Sequence, residues 1–305
     1  MCCLFGFVDY AGSLSVKQKC RLIRELSIAA EVRGTDATGI AYNTSRGLQI
    51  YKRPLAAHRL HLRIPAEAHV VMGHTRMTTQ GSAKKNYNNH PFFGCVKGKR
   101  FALAHNGVLW NDRGLRHTKH LPKTKIQTDS YVAVQLLEQQ KALDFDSLAK
   151  MAEQVEGSFS FAVLDEQDAL WLVKGDNPLT IVHFPAAGVY VYASTAEILN
   201  KALARCGNWL GRGEKVDIAM GDIVKIDSRG HITHGTFDVS KFYRSSWGYW
   251  DTPLYPKAPH SEEEHLALLK SVAKAFGFTS EMIDRLLDQG FTTMEIEELL
   301  YDGGY

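Results

Sequence analysis

The chain has 305 residues, 45% apolar and 23% charged, with a formal charge of +3. This is the composition of a soluble globular protein with one large domain, or one large and one small. Five cysteines at 2, 3, 20, 95 and 206 make no CxxC pair and no zinc-like spacing, which argues against a disulfide framework or structural metal and for a reducing, cytoplasmic setting. No run of about 18 apolar residues occurs and no charged-then-apolar leader opens the chain, so neither membrane spanning nor export is expected.

In chain order, CCLFGFV reads as a short apolar strand whose period of 2 sends Cys2 and Cys3 to opposite faces. Residues 16–32 have helical composition and run into the loop-like RGTDATG. GIAYNTSRGLQIYKR reads as two strands around a turn at Asn43 to Gly47, and HVVMGHTR as a strand running into polar residues. A loop then leads to His90. FALAHNGVLW is a buried strand, and TDSYVAVQLLEQQ a helix whose entry Thr128 or Asp129 could cap. SFSFAVLDEQDALWLVKG is a hairpin, GVYVYAST a strand before a short helix from Ala196, and GDIVKIDSRGHITHGTF a further hairpin. Strands arriving as hairpins favour a layered α+β fold over a Rossmann fold.

After residue 240 the character changes. Residues 241–260 read as an aromatic and proline-rich linker, and 261–305 as three short helices, with a capping box at Ser261 and Glu264 and caps at Thr279 and Thr292. From Ser261 onward there are ten acids against three bases, a balance of −7 that leaves +10 on residues 1–260. The total is too small to argue for nucleic acid. A basic body with an acidic tail leaves open an intramolecular docking surface, or a partner, nucleic acid included, for the body.

Several residues could carry chemistry. Cys2 becomes terminal if Met1 is removed, and its α-amine could then serve as base for its own thiol. In GHTRMTTQG, Arg76 stands at a strand end with hydroxyls nearby, a fork suited to a carboxylate. AHNG offers the Asn106 amide beside Gly107, a pairing that suits an oxyanion hole. Asp129, at a helix start, could accept from a substrate ammonium. His74, His90 and His105 lack compact ligand spacing, so no metal is assigned.

In combination and order these segments resemble the class II glutamine amidotransferase domain, the N-terminal nucleophile hydrolase module at the front of glucosamine-6-phosphate synthase and amidophosphoribosyltransferase. MCCLFG resembles the family's Met-Cys-Gly-Ile opening, RGTDATG its Arg-Gly-x-Asp-x-x-Gly segment and GHTRMTT its Gly-His-x-Arg-x-x-Thr segment. AHNG, QTDS, GDNPL and YASTAEIL follow in the family's order over roughly residues 2–200, perhaps to 240.

The resemblance implies a four-layer αββα sandwich over 2–240, followed by a small helical domain. It implies Cys2 as nucleophile, Asn106 and Gly107 as oxyanion hole, and Arg76, Thr79 and Asp129 as the binders of L-glutamine. Arg33, Gly34 and His74 would give support, and residues 77–84 would be a loop closing over the substrate. No cofactor is implied. Ammonia would pass to an acceptor or synthetase subunit on a separate chain, docking on residues 241–305. The alternatives are a stand-alone amidase acting on another small amide, and a non-catalytic glutamine-binding or assembly subunit. The family glycine after the nucleophile is Cys3 here, either a core thiol or an obstruction.

Overall fold

Alternation along β1 (Cys3–Asp9) sets the architecture. Cys3, Phe5 and Phe7 enter one apolar cluster, while Leu4 and Val8 enter another on the opposite face. The computed structural model describes residues 2–240 and, beyond them, 266, 270, 279–289, 291, 293 and 296. The chain divides into two units, Met1–Phe242 and Tyr243–Tyr305.

In the first unit, β1 lies at the centre of a seven-stranded antiparallel sheet ordered β11-β9-β10-β1-β4-β2-β3. Its other strands are β2 (Ala37–Thr44), β3 (Gly47–Arg53), β4 (Val70–Arg76), β9 (Thr180–Phe184), β10 (Val189–Ala193) and β11 (Glu214–Val216). The second sheet has six antiparallel strands, ordered β13-β12-β8-β7-β6-β5. They are β5 (Phe92–Val96), β6 (Lys99–Leu109), β7 (Gly157–Asp165), β8 (Leu170–Lys174), β12 (Asp222–Ile226) and β13 (Ile232–Thr236).

Helices cover the outer faces. α1 (Val16–Ala29) and α5 (Ala196–Cys206) pack on the first sheet through Leu22, Ile23, Leu26, Ile198 and Leu199. A short α2 (Asp112–Thr118) follows β6, and α3 (Tyr131–Gln140) and α4 (Phe145–Gln154) cover the second sheet. Between the sheets lie Leu4, Val70, Met72, Ala102, Ala104, Ala162 and Leu172, so the layers run α, β, β, α. This is the expected α+β sandwich.

The helix expected over 16–32 ends at Ala29 and tightens into a 3₁₀ turn over Ala30–Arg33. Its entry is a capping box of Ser15 and Gln18. The expected cap of α3 by Thr128 or Asp129 is not formed. Ser130 holds that position with helical dihedrals and no side-chain cap bond, and Asp129 is drawn to a strand end instead.

The second unit is described at fewer positions. α6 (Ser280–Asp288) starts at the expected Thr279, whose side chain accepts from Met282 N at 3.3 Å. Ile283 and Ile296 form a small core with Leu266, Leu286 and Leu287, and Lys270 pairs with Asp284. The expected linker 241–260, the Ser261 capping box and the Thr292 cap lie outside the described residues. Among the described residues, no helix is long and apolar enough to cross a membrane.

Candidate active site

Three strands point their polar ends into the space between the sheets. On β4, Val70 and Met72 face the inter-sheet core, and the period carries His74 and Arg76 to the same side. On β6, Ala102 and Ala104 do so, and Asn106 follows. On β1, Leu4 faces inward and Cys2 shares its parity. One alternation therefore gathers Cys2, His74, Arg76 and Asn106 at one end of the sandwich.

Cys2 is buried, and its thiol donates to Met77 O at 3.5 Å. Its carbonyl accepts from Arg33 Nε at 2.9 Å. Burial pushes the thiol above its ordinary range, while the Arg76 charge pulls it down and Asp129 pushes it up. Burial also lowers Arg76, opposed by Cys2, Asp129 and Asp36. The Met77 carbonyl that accepts from the thiol directly follows Arg76 in the chain. The Cys3 side chain points the other way into the helix-side core, fully buried, with its thiol held up at about 11 by burial. It fills core space rather than the site.

Arg76 is buried and already engaged. Nη1 donates to Asn89 Oδ1 at 2.7 Å, and Nη2 to the carbonyls of Gln80 at 2.5 Å and Gly81 at 3.3 Å. Gly34 lets the Arg33 segment lie on this strand end, since a Cβ there would stand 2.4 Å from Arg76 C and 2.5 Å from Met77 N. Asp36 ties the same corner, accepting from Thr78 N at 2.7 Å and donating its own N–H to Arg76 O at 3.0 Å. Thr79 is exposed on the loop after β4.

Across the gap, Gly107 has a φ of +141°, and a Cβ there would meet Ser158 O at 1.8 Å. Only glycine suits both conditions. Asn106 Nδ2 lies 3.4 Å from Ser194 Oγ, while its Oδ1 is buried without a hydrogen-bond partner among the described residues. Asp129 is buried and its Oδ2 accepts from Leu109 N at 2.7 Å. His74 bonds His105 O at 3.0 Å and is pushed down to about 3 by burial. His90 and His105, also lowered by burial, complete a neutral imidazole cluster in which the His74 and His90 centroids are 4.2 Å apart. Neutral, close-packed rings fit structural support. Among the described residues no group of three or more His, Cys, Asp or Glu could hold a metal ion.

Residues 74–201 match the family model of the glutamine amidotransferase domain. The glutamine–fructose-6-phosphate aminotransferase (isomerizing) of Sulfurisphaera tokodaii is 31% identical over 194 residues, covering 59% of this chain and 31% of that protein. Its namesake from Halalkalibacterium halodurans is 32% identical over 201 residues, covering 63% and 32%. Residues 74–201 are thus a glutamine amidotransferase domain. It spans 31% and 32% of the length of these two relatives. The fold is shared with the solved glutamine phosphoribosylpyrophosphate amidotransferase of B. subtilis, at TM-score 0.60 and 17% identity over 77% of this chain and 49% of that one.

Two residues of the amidotransferase domain that support the site were not singled out as such in the sequence. Asn177, within GDNPL, donates from Nδ2 to Asn106 O at 3.0 Å and to Ser158 Oγ at 2.6 Å. Ser194, within YASTAEIL, accepts from Leu4 N at 2.9 Å and sends its own N–H to Leu4 O at 2.9 Å. Ser194 thus ties the head of β1 to the Asn106 amide. Both stand in segments that carry the family resemblance, which was the available signal.

Proposed function

We propose that residues 2–240 hydrolyse the side-chain amide of L-glutamine at Cys2, releasing glutamate and ammonia. The observation that carries this reading is that a buried thiol bonds the strand end next to Arg76, while Ser194 ties the same strand head to Asn106 and Asp129 bonds the end of the Asn106–Gly107 strand, inside a glutamine amidotransferase domain. Arg76 would receive the α-carboxylate, with Thr79 beside it on the loop, and Asp129 the α-ammonium. The amino acid is then held at both ends, which favours glutamine over a simpler amide.

A thiol raised by burial needs a base. With Met1 removed, the α-amine of Cys2 takes the thiol proton and sulfur attacks the amide carbon. The oxyanion is met by the Asn106 amide and the Gly107 N–H. For Asn106 to donate there, its amide is turned so that oxygen accepts from the Ser194 hydroxyl and nitrogen takes the partnerless position now held by Oδ1. The amine returns its proton to the leaving nitrogen and ammonia departs, leaving a thioester. Water, deprotonated by the same amine, attacks that thioester, and glutamate leaves with Cys2 restored. Arg33, Gly34 and His74 hold the frame.

The relatives' names describe amino transfer from glutamine to a sugar phosphate. By analogy, the ammonia here serves an acceptor enzyme, in our reading on a separate chain docking on residues 241–305, whose acidic balance would suit a basic partner face. The test is the intact mass of natively processed protein before and after a diazoketone analogue of glutamine, beside C2A. Loss of Met1 and one adduct absent from C2A are expected. Retained Met1 with no adduct would overturn catalysis and leave a glutamine-binding or assembly role.

A further inference from the structure

The Arg76 guanidinium has no carboxylate in hydrogen-bond contact among the described residues. Its direct partners are an amide oxygen and two backbone carbonyls. The amide belongs to Asn89, which is completely buried at the end of the segment following the β4 loop. Both ends of that side chain are used. Oδ1 accepts from Arg76 Nη1 at 2.7 Å, while Nδ2 donates to Ala83 O at 2.8 Å and lies 3.4 Å from Asn86 Oδ1.

The Asn89 backbone is fixed as well. Its N–H donates to Asn86 O at 3.2 Å, and its carbonyl accepts from Lys52 Nζ, which also holds Pro91 O. Neighbouring Asn88 ties the same loop to the segment leading to Asp129, donating to Ser82 O at 3.1 Å and accepting from Gln127 N at 2.9 Å.

The two sets of Arg76 bonds differ in kind. The bond to Asn89 runs to a buried, doubly anchored side chain. The bonds to Gln80 and Gly81 run to carbonyls of a partly exposed loop. A carboxylate gripped by the fork needs a pair of adjacent N–H groups, so it must displace the loop carbonyls from Nη2. A neutral amide at 89 fixes the guanidinium plane without cancelling its charge, and it holds the loop at Ala83 while the loop gives way at Gln80. We propose that Asn89 is the positioning residue for Arg76, setting the guanidinium to receive the α-carboxylate of the substrate in exchange for the loop carbonyls.

This rests on the reading of the domain as a glutamine amide hydrolase. The experiment compares wild type, N89A and N89D of the full chain by steady-state release of glutamate, and by the rate at which iodoacetamide alkylates Cys2. N89A removes both bonds. N89D keeps the volume and an acceptor for Arg76, but neutralises the guanidinium and loses the donor to Ala83 O. Both should raise KM for glutamine about tenfold or more, the scale of a lost hydrogen bond to a charged group, with kcat within about threefold. Iodoacetamide carries no carboxylate, so its rate should match wild type in both variants.

Unchanged KM in both variants overturns the assignment. So does a loss of alkylation rate and melting temperature in parallel with KM, which marks a merely structural residue. A wild type that releases no glutamate removes the hydrolase reading itself, and with it this inference. Normal wild-type turnover with unaltered variants removes Asn89 alone.

Discussion

Replacing Cys3 with alanine and with glycine separates packing from chemistry at the head of β1. Its side chain is fully buried among Phe5, Phe7, Ile23 and their neighbours in the helix-side core, and its Sγ lies 3.2 Å from Leu4 O. Alanine removes one sulfur-sized atom from a packed layer, a loss of about 1–2 kcal/mol counting transfer and cavity. Glycine, the residue that the family resemblance leads one to expect there, adds about 0.5–1 kcal/mol through backbone freedom in a strand. C3G should therefore melt about 5–10 °C below wild type, with C3A between them, for a domain of this size. Because the Cys2 and Cys3 side chains face opposite sides, kcat/KM for glutamine should stay within about twofold in both. The assays are thermal unfolding and glutamate release. A C3A enzyme of unchanged stability with a tenfold change in kcat/KM, or a C3G enzyme that gains activity, would show that the thiol at 3 reaches the site and that the alternation argument fails.

Asn177→Ala leaves the Asn106 carbonyl and the Ser158 hydroxyl without their buried partner, so it should lower kcat by about ten- to a hundredfold while KM stays near wild type. Steady-state kinetics with an unchanged kcat would contradict a supporting role. Stability should fall steeply in acid. His74 is pushed down to about 3 by burial, whereas an unfolded histidine titrates near 6.5, so below 6.5 the unfolded chain binds a proton that the folded one refuses. The loss is about 1.4 kcal/mol per pH unit from this group between those values, more as His90 and His105 contribute in the same direction. Urea titrations at pH 7 and pH 5 check the sign. Equal midpoints would mean that the imidazoles are not buried as neutral groups.

Much of this was legible because the site sits on strands. Once Val70, Met72, Ala102 and Ala104 are taken as the inter-sheet face, a period of 2 sends Arg76 and Asn106 to the same space without further information. The Cys2–Cys3 opening was ambiguous only until the partners of Phe5 and Leu4 were known. Asp129 was harder. Local propensity assigns an aspartate at a helix entry to capping, yet the N–H of Leu109 at the end of β6 competes for it and wins, while Ser130 adopts helical dihedrals that leave its hydroxyl out of capping geometry. Gly34 is unreadable locally for a related reason. The demand for glycine comes from the Arg76–Met77 backbone, some forty residues later along the chain. Asn88 and Asn89 fall in the loop expected to lead to His90, and their bonds to Gln127 and Arg76 depend on how that loop folds back on itself.

These contacts divide the work between a fixed and a yielding side. The head of β1 is held from two directions: Arg33 on the Cys2 carbonyl and Ser194 on both backbone groups of Leu4. The facing Asn106 and Gly107 are locked by Asn177 and by a backbone that admits no Cβ. A nucleophile and its oxyanion partners must keep their spacing through the reaction, and these elements leave them little freedom. The proposed carboxylate side is different, because Arg76 spends hydrogen bonds on the loop carbonyls of Gln80 and Gly81 that, in our proposal, the substrate replaces. Perturbations on the sheet side should therefore appear in kcat, and those on the loop side in KM. Asn177 and Asn89, two buried asparagines bonded to Asn106 and to Arg76, are the pair that puts this proposed division to the test.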